Sequence, residues 1–249
     1  MSQISFASIV RTMPSPEQYE RTTGFVQMRL PEFLNDSARI PIAPGAGSMS
    51  TAEAFWLYWL VRELEPTRII DSGSANGWGA HLLSLAAPDA RIHCFDPYRE
   101  PDSLPGAATY ECTDWTSSRL DWKGADTLAL FDDHANQGLR ARQAYQRGVR
   151  NALFHDVYPT LTKSLVSLRF TNLIGVATSS HTFEPLWHID EVFRNTTSNP
   201  QLFRWLTWVE LNEHRPIAPR SALLHLRQRV SLRNPGAAPA SRKNWRARG

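Results

Sequence analysis

The chain is poor in cysteine, with only Cys94 and Cys112 in 249 residues. Two cysteines are too few for a disulfide framework, and their separation is too wide for a metal-binding cluster. They read as reduced thiols in or at the end of strands, which suits an intracellular, cytoplasmic protein. Long apolar runs are also missing. No stretch reaches the roughly 18 apolar residues that a membrane span requires, and residues 1–13 lack a charged start followed by an apolar core. Acidic residues are absent from the last 21 positions, which hold Arg229, Arg233, Arg242, Lys243, Arg246 and Arg248. Total charge is +3, so residues 1–228 carry a net −3 and the tail alone makes the protein basic. A Gly-x-Gly-x-x-Gly dinucleotide fingerprint is absent as well.

The remaining composition is that of a folded enzyme-sized domain: 42% hydrophobic, 20% charged, with nine Trp. Trp56, Trp59, Trp205 and Trp208 fall in periodic segments and are read as core. Residues 1–47 are read as an irregular N-terminal extension with one short helix near Pro16 to Thr22. A domain over residues 48–233 follows, and residues 234–249 form a Pro/Ala/Arg-rich, basic, disordered tail.

Ser50-Thr51-Ala52-Glu53 is a capping box, and the helix it opens stops before Pro66. Short apolar strands and helical patterns then alternate. Strands are expected at Arg68–Asp71, Arg91–Asp96, Ala108–Cys112, Thr127–Phe131 and Asn151–His155, with helices at Gly77–Ala87 and Gln137–Gly148. Two strand-like runs, Phe203–Leu211 and Ala222–Val230, close the pattern without an intervening helix. The expected fold is α/β: a Rossmann-like, doubly wound, mostly parallel seven-stranded sheet ending in an antiparallel hairpin.

The most informative segment is Ile69-Ile70-Asp71-Ser72-Gly73-Ser74-Ala75-Asn76-Gly77-Trp78-Gly79. An apolar strand ends in an acid, and a glycine turn opens a helix whose first amides are free. An acid at that point repels a pyrophosphate but suits an ammonium group. The second signal is Asp96, at the tip of the second strand, where a carboxylate can accept both hydroxyls of a ribose. A third lies at Asp132-Asp133-His134 after the fourth strand, and a fourth at His155-Asp156 after the fifth. The C-terminal ends of neighbouring parallel strands lie side by side, where ligands bind.

From about Thr67 to Pro159 the chain resembles the cofactor-binding half of class I S-adenosylmethionine methyltransferases. Within them it is most similar to the metal-dependent O-methyltransferases of the macrocin O-methyltransferase and cephalosporin-hydroxylase-like group. The resemblance implies S-adenosylmethionine bound by Asp71, Gly73, Ser74 and Gly77, with Asp96 on the ribose and Asp114-Trp115 near adenine. It also implies a divalent ion held by Asp132, Asp133 and Asp156, Mg²⁺ by its hard oxygen donors. His155 stands where the family places an acid, which favours a softer ion such as Mn²⁺. Without a metal, Asp132 would orient the acceptor and His134 or His155 would act as general base.

The expected activity is therefore methyl transfer to a hydroxyl of a small-molecule acceptor. Two alternatives stay open. One is a nicotinamide-dependent oxidoreductase on the same fold, which the glycine spacing disfavours. The other is a non-catalytic scaffold binding protein or nucleic acid through the basic tail. The acidic body, and a tail without aromatics beyond Trp245, argue against nucleic acid. His181 and His188 flank a segment, Ser179–Asn195, expected to cover the substrate. Arg140, Arg142, Arg147 and Arg150 read as a solvated helix face or as contacts for an acidic acceptor or a partner subunit. Homo-oligomerisation is left open.

Overall fold

The computed structural model describes residues 16–45, 49–123, 126–157, 177–183, 186, 191–193 and 205–211. Helix α1 spans Pro16–Ser37 and α2 spans Thr51–Leu64. Strand β1 (Arg68–Ser72), helix α3 (Trp78–Ala86), and strands β2 (Arg91–Phe95), β3 (Ala108–Glu111) and β4 (Thr127–Phe131) follow. Helix α4 (Gln137–Gln146) precedes β5 (Asn151–Val157), β6 (Ala177–Thr182) and β7 (Trp205–Leu211). The seven strands form one sheet in the order β3-β2-β1-β4-β5-β7-β6. The first five are parallel, and β7 lies antiparallel between β5 and β6.

The expected doubly wound sheet with an antiparallel end is thus present. One assignment within it differs. Of the run expected at 203–211, Trp205–Leu211 is strand β7, but its hairpin-side partner is β6 at Ala177–Thr182. The proposed partner at 222–230 lies outside the described residues. Ala177–Thr182 (ATSSHT) carries little apolar patterning, so its strand character comes from pairing with β7 rather than from propensity. Part of the segment expected to cover the substrate is therefore sheet, with His181 in β6 and opposite Trp208. His188 lies outside the described residues.

Strand alternation divides the core into two layers. On one face, Ile69, Leu128, Leu130, Leu153, Leu206 and Trp208 pack with α1, α2 and α3. On the other, Ile70, Phe95, Ala129, Phe131, Ala152, Phe154 and Val209 pack with Ala141 and Ala144 of α4 and with Trp115 and Trp122.

The N-terminal region is more ordered than its composition implies. Its helix runs 22 residues through Pro31, a residue that removes one backbone donor from a helix interior. Tertiary packing compensates. Phe25 stacks on Trp56 (centroids 6.3 Å apart, 7° between planes) and meets Trp59 edge-on at 5.8 Å. Phe33 meets Phe55 at 5.5 Å. Arg29 lies over the Trp59 ring at 4.8 Å, and Glu32 pairs with Arg62 at 3.3 Å. Among the described residues, no helix is long and apolar enough to cross a membrane.

Because Phe25 is 2% exposed and belongs to the main core, Phe25→Ala is expected to lower unfolding stability by about 3–5 kcal/mol. Urea denaturation followed by tryptophan fluorescence should still show one transition. Unchanged stability would show that α1 is an appendage rather than part of the folding unit.

Candidate functional site

Strand β1 sits between β2 and β4 in parallel register, with Ser72 level with both Phe95 and Phe131. Chain direction therefore delivers the three following turns to one end of the sheet. The crossovers diverge on either side of β1, leaving a crevice between β1 and β4, where ligands of doubly wound sheets bind. A cavity of about 760 Å³ occupies it. Asp71, Gly73, Ser74, Asp96, Asp114, Asp132, Asp133 and His134 all line that cavity.

Two glycines shape the turn by backbone conformation. Gly73 has φ +94°, and a side chain there would place a Cβ 2.5 Å from the Asp132 carbonyl oxygen. Gly77 has φ +89°, and its Cβ would lie 2.0 Å from the Ser103 carbonyl oxygen. Both values lie in the left-handed region that glycine adopts without strain. Gly73 N–H donates to the Phe95 carbonyl at 2.8 Å, and Asp132 N–H donates to the Ser72 carbonyl at 2.8 Å. These bonds continue the ladder past the strands and close the turn against both neighbours. The Asn76 side-chain oxygen accepts from the N–H of Trp78, the first residue of α3, at 3.2 Å, and its amide donates to the Ala43 carbonyl at 3.0 Å. The N-terminal region thereby touches the glycine turn, and Gly45 and Met49 complete one wall.

Asp71 is 2% exposed. Burial, and then the charge of Asp132, push its carboxyl up to about 7. The neighbouring Cys94 thiol, buried and 3.8 Å from Asp71 Oδ2, is pushed up too. Asp96 accepts from Ala75 N–H at 3.1 Å through Oδ2, and from Tyr98 N–H (2.8 Å) and Arg99 N–H (3.0 Å) through Oδ1. A carboxylate has about four acceptor positions. Both lone pairs of Oδ1 are engaged, so Oδ2 is the atom available to a ligand hydroxyl.

Ser74 supplies the clearest sign of a missing polar group. It is 4% exposed, lines the cavity, and its Oγ has no hydrogen-bond partner. A buried hydroxyl without a partner is costly and calls for a ligand atom.

The acids after β4 are held by buried cations. Asp133 accepts from Ser72 Oγ at 2.7 Å and pairs with Arg140 Nε at 2.8 Å. Arg140 reaches on to Asp114, with Nη1 3.1 Å from Oδ1. Burial alone would raise the Asp114 carboxyl, but hydrogen bonds from Arg140 and Thr116 outweigh it and hold the group at about 2. Arg140 was read as part of a solvated helix face, yet its side chain is 9% exposed. Arg147 also turns inward, donating to the Ser118 carbonyl at 3.1 Å with its guanidinium over Trp115.

His155 is enclosed entirely, with a side-chain exposure of 0%. Its Nδ1 lies 2.7 Å from Asp132 Oδ1 and its Nε2 3.3 Å from Glu53 Oε2. Burial would lower the imidazole, but the Asp132 and Glu53 carboxylates reverse this and raise it to about 10. The ring is sealed and is not among the residues that line the cavity, so the general-base expectation for His155 finds no path to an acceptor there. His134 is different. It is exposed at the cavity wall with φ +54°, a left-handed conformation uncommon for a side chain this size.

Trp115 also departs from expectation. It is 0% exposed, packs 5.5 Å from Phe131, and does not line the cavity. The described part of the donor set does not support the divalent ion that was expected: Asp132 lies 2.7 Å from the buried His155 ring and Asp133 2.8 Å from the buried Arg140 guanidinium, so both acids already have partners. The Asp156 side chain lies outside the described residues. Among the described residues, no group of three or more His, Cys, Asp or Glu side chains is arranged to hold a metal.

No protein-family model and no curated protein matches the sequence. Solved structures do. A Klebsiella pneumoniae protein provisionally named an O-methyltransferase superposes with a TM-score of 0.51 at 14% identity, over 74% of this chain and 89% of that one. An S-adenosylmethionine-dependent O-methyltransferase of Thermotoga maritima gives 0.49 at 11% identity, over 74% and 72%. The Streptomyces achromogenes O-methyltransferase TomG, solved with S-adenosylmethionine, gives 0.48 at 14% identity, over 66% and 82%. The likeness to the Klebsiella pneumoniae protein shows a shared Rossmann-like fold.

Two consequences can be measured. Gly77→Ala is expected to lower the thermal midpoint, because left-handed strain and the Ser103 contact both oppose the methyl group. The second concerns pH. The His155 value is raised in the folded state, so its contribution is full below about 6.5 and lost as pH rises towards about 10. Wild-type melting temperature should fall across that window, and His155→Gln should flatten the fall. An identical slope in both proteins would refute the assignment.

Proposed function

We propose that the protein is an S-adenosylmethionine-dependent methyltransferase acting on a hydroxyl of a small-molecule acceptor. The reading is carried by one observation: Asp71 and Asp96, at adjacent strand tips, line the same cavity as the unpartnered Ser74 hydroxyl and the Gly73 bend. Bound there, S-adenosylmethionine supplies an activated methyl group on a sulfonium. In this reading Asp96 Oδ2 accepts a ribose hydroxyl and Ser74 Oγ bonds a polar atom of the amino-acid end. The Asp71 carboxylate favours the nearby positive charge. The Gly73 turn lets backbone approach the ligand without a Cβ in the way.

The remaining chemistry is positioning and one proton. Asp132, on the wall beside Asp71, orients the acceptor. The His134 imidazole, exposed at the same wall, is the group to take the hydroxyl proton. Asp114 marks the adenine side, where its carboxylate is fixed by Arg140. The N-terminal segment belongs to the same unit in this reading, because Gly45 and Met49 close the cavity.

Calorimetric titration with S-adenosylhomocysteine is expected to give one site. Asp96→Ala should weaken it by about 10- to 100-fold, the worth of a hydrogen bond to a charged group, with the far-ultraviolet spectrum unchanged. No saturable binding by the wild-type chain would sink the reading. S-Adenosylmethionine adds a separate test. A cation beside Asp71 lowers a carboxyl that sits at about 7, so binding at pH 7 should release up to about half a proton. Titrations in two buffers of different ionisation enthalpy measure that release directly.

A further inference from the structure

We propose that Arg140 is a positioning residue that sets the base preference of the cavity: its guanidinium fork locks the Asp114 carboxylate as an acceptor for the 6-amino group of adenine. The proposal rests on the methyltransferase reading, which puts Asp114 on the adenine side. Arg140 acts in it through Asp114.

Asp114 follows β3, an edge strand that β2 and β1 separate from β4. Three strand spacings come to about 14 Å. Yet Trp115, next to Asp114, packs 5.5 Å from Phe131 of β4. The segment after β3 therefore folds back across β2 and β1 towards α4. Two arginines hold it there. Arg140, near the start of α4, reaches Asp114. Arg147, which caps the end of α4, donates to the Thr116 and Ser118 carbonyls and lies over the Trp115 ring. About two helical turns separate the two arginines, so they share one face.

The two clamps differ in what they touch. Arg147 holds backbone and an indole that does not line the cavity, whereas Arg140 and Asp114 both line it. A cation near a helix N-terminus also opposes the helix dipole. Arg140 therefore owes its place to the acids it meets, not to the helix that carries it.

The Asp114 carboxylate is close to saturated. Its Oδ1 accepts from Thr116 N–H at 2.9 Å, from Thr116 Oγ1 at 2.5 Å and from Arg140 Nη1 at 3.1 Å. Its Oδ2 accepts from Arg140 Nη2. A carboxylate oxygen has two acceptor positions, so one remains on Oδ2. That position takes an N–H and repels a carbonyl oxygen. With each carboxylate oxygen bonded to one planar fork, the group is not free to turn. Adenine presents a 6-amino group. Its 6-oxo counterpart presents an oxygen there and carries its proton on N1, one ring position away. A carboxylate free to turn reaches that proton; a locked one meets the oxygen.

Calorimetric titrations of the full chain compare S-adenosylhomocysteine with its 6-oxo analogue, S-inosylhomocysteine. The wild-type protein is expected to prefer the adenine compound by about tenfold or more. Arg140→Gln should reduce that preference several-fold. Arg140→Lys keeps the charge without the fork, should show the same loss, and serves where Arg140→Gln does not fold. Arg147→Gln loosens the same segment without touching Asp114. It should lower the thermal midpoint and leave the preference as in wild type.

Equal affinity of the wild-type protein for the two compounds overturns the proposal. So does a preference retained in the Arg140 variants, or one lost to the same degree in Arg147→Gln, which would make the stability of the segment the cause. If the wild-type protein binds neither compound, the methyltransferase reading falls and takes the proposal with it. Binding with an unchanged preference overturns the proposal alone.

Discussion

The site depends on the parallel register of β1 between β2 and β4. Two backbone bonds, Gly73 N–H to Phe95 and Asp132 N–H to Ser72, extend that register beyond the strands. They bring the Asp71, Asp96 and Asp132 side chains to one cavity. A side chain at Gly73 would strike the Asp132 backbone and separate the two turns. Cavity shape and charge distribution both follow from this close approach.

Concentrating acids in a small volume raises an electrostatic difficulty that the surrounding structure resolves unevenly. Asp133 and Asp114 share Arg140, and Asp132 has His155. Asp71 has no such cation beside it among the described residues, and burial, then the Asp132 charge, push its carboxyl up to about 7. The cavity therefore offers a partly protonated acid in a place suited to a cationic ligand. A positive charge entering there would relieve the destabilised carboxylate, which links binding to proton release.

The N-terminal region connects these features to the rest of the molecule. Helix α1 covers α2 through Phe25 and Phe33, Ser50 caps α2 and Glu53 lies in its first turn, and in the loop between the helices the Ala43 carbonyl accepts from the Asn76 amide. A stretch without an obvious motif thus supports the site from two directions. Its mixed, Pro-containing composition suggested an irregular arm with one short helix near Pro16 to Thr22. Aromatic stacking across α1 and α2 overrides that local preference, and such contacts have no signature in a single segment.

Much of the fold was legible because its signals are local. The alternation of short apolar strands with helical segments, the capping box at Ser50 and the glycines at 73 and 77 reflect backbone chemistry within a few residues. The acids at 71, 96, 132 and 133 were legible for a related reason: parallel strands bring their C-terminal tips together whatever loops intervene. The partner of β7, the burial of Trp115 and Arg140, and the sealing of His155 were not legible. Each depends on groups distant in sequence, such as Glu53 and Asp132 on either side of one imidazole. The linear chain therefore determined which residues reach the sheet's ligand-binding end. Tertiary packing decided which of them face the cavity and which are spent holding the others, because burial and ion pairing exist only once separate elements meet.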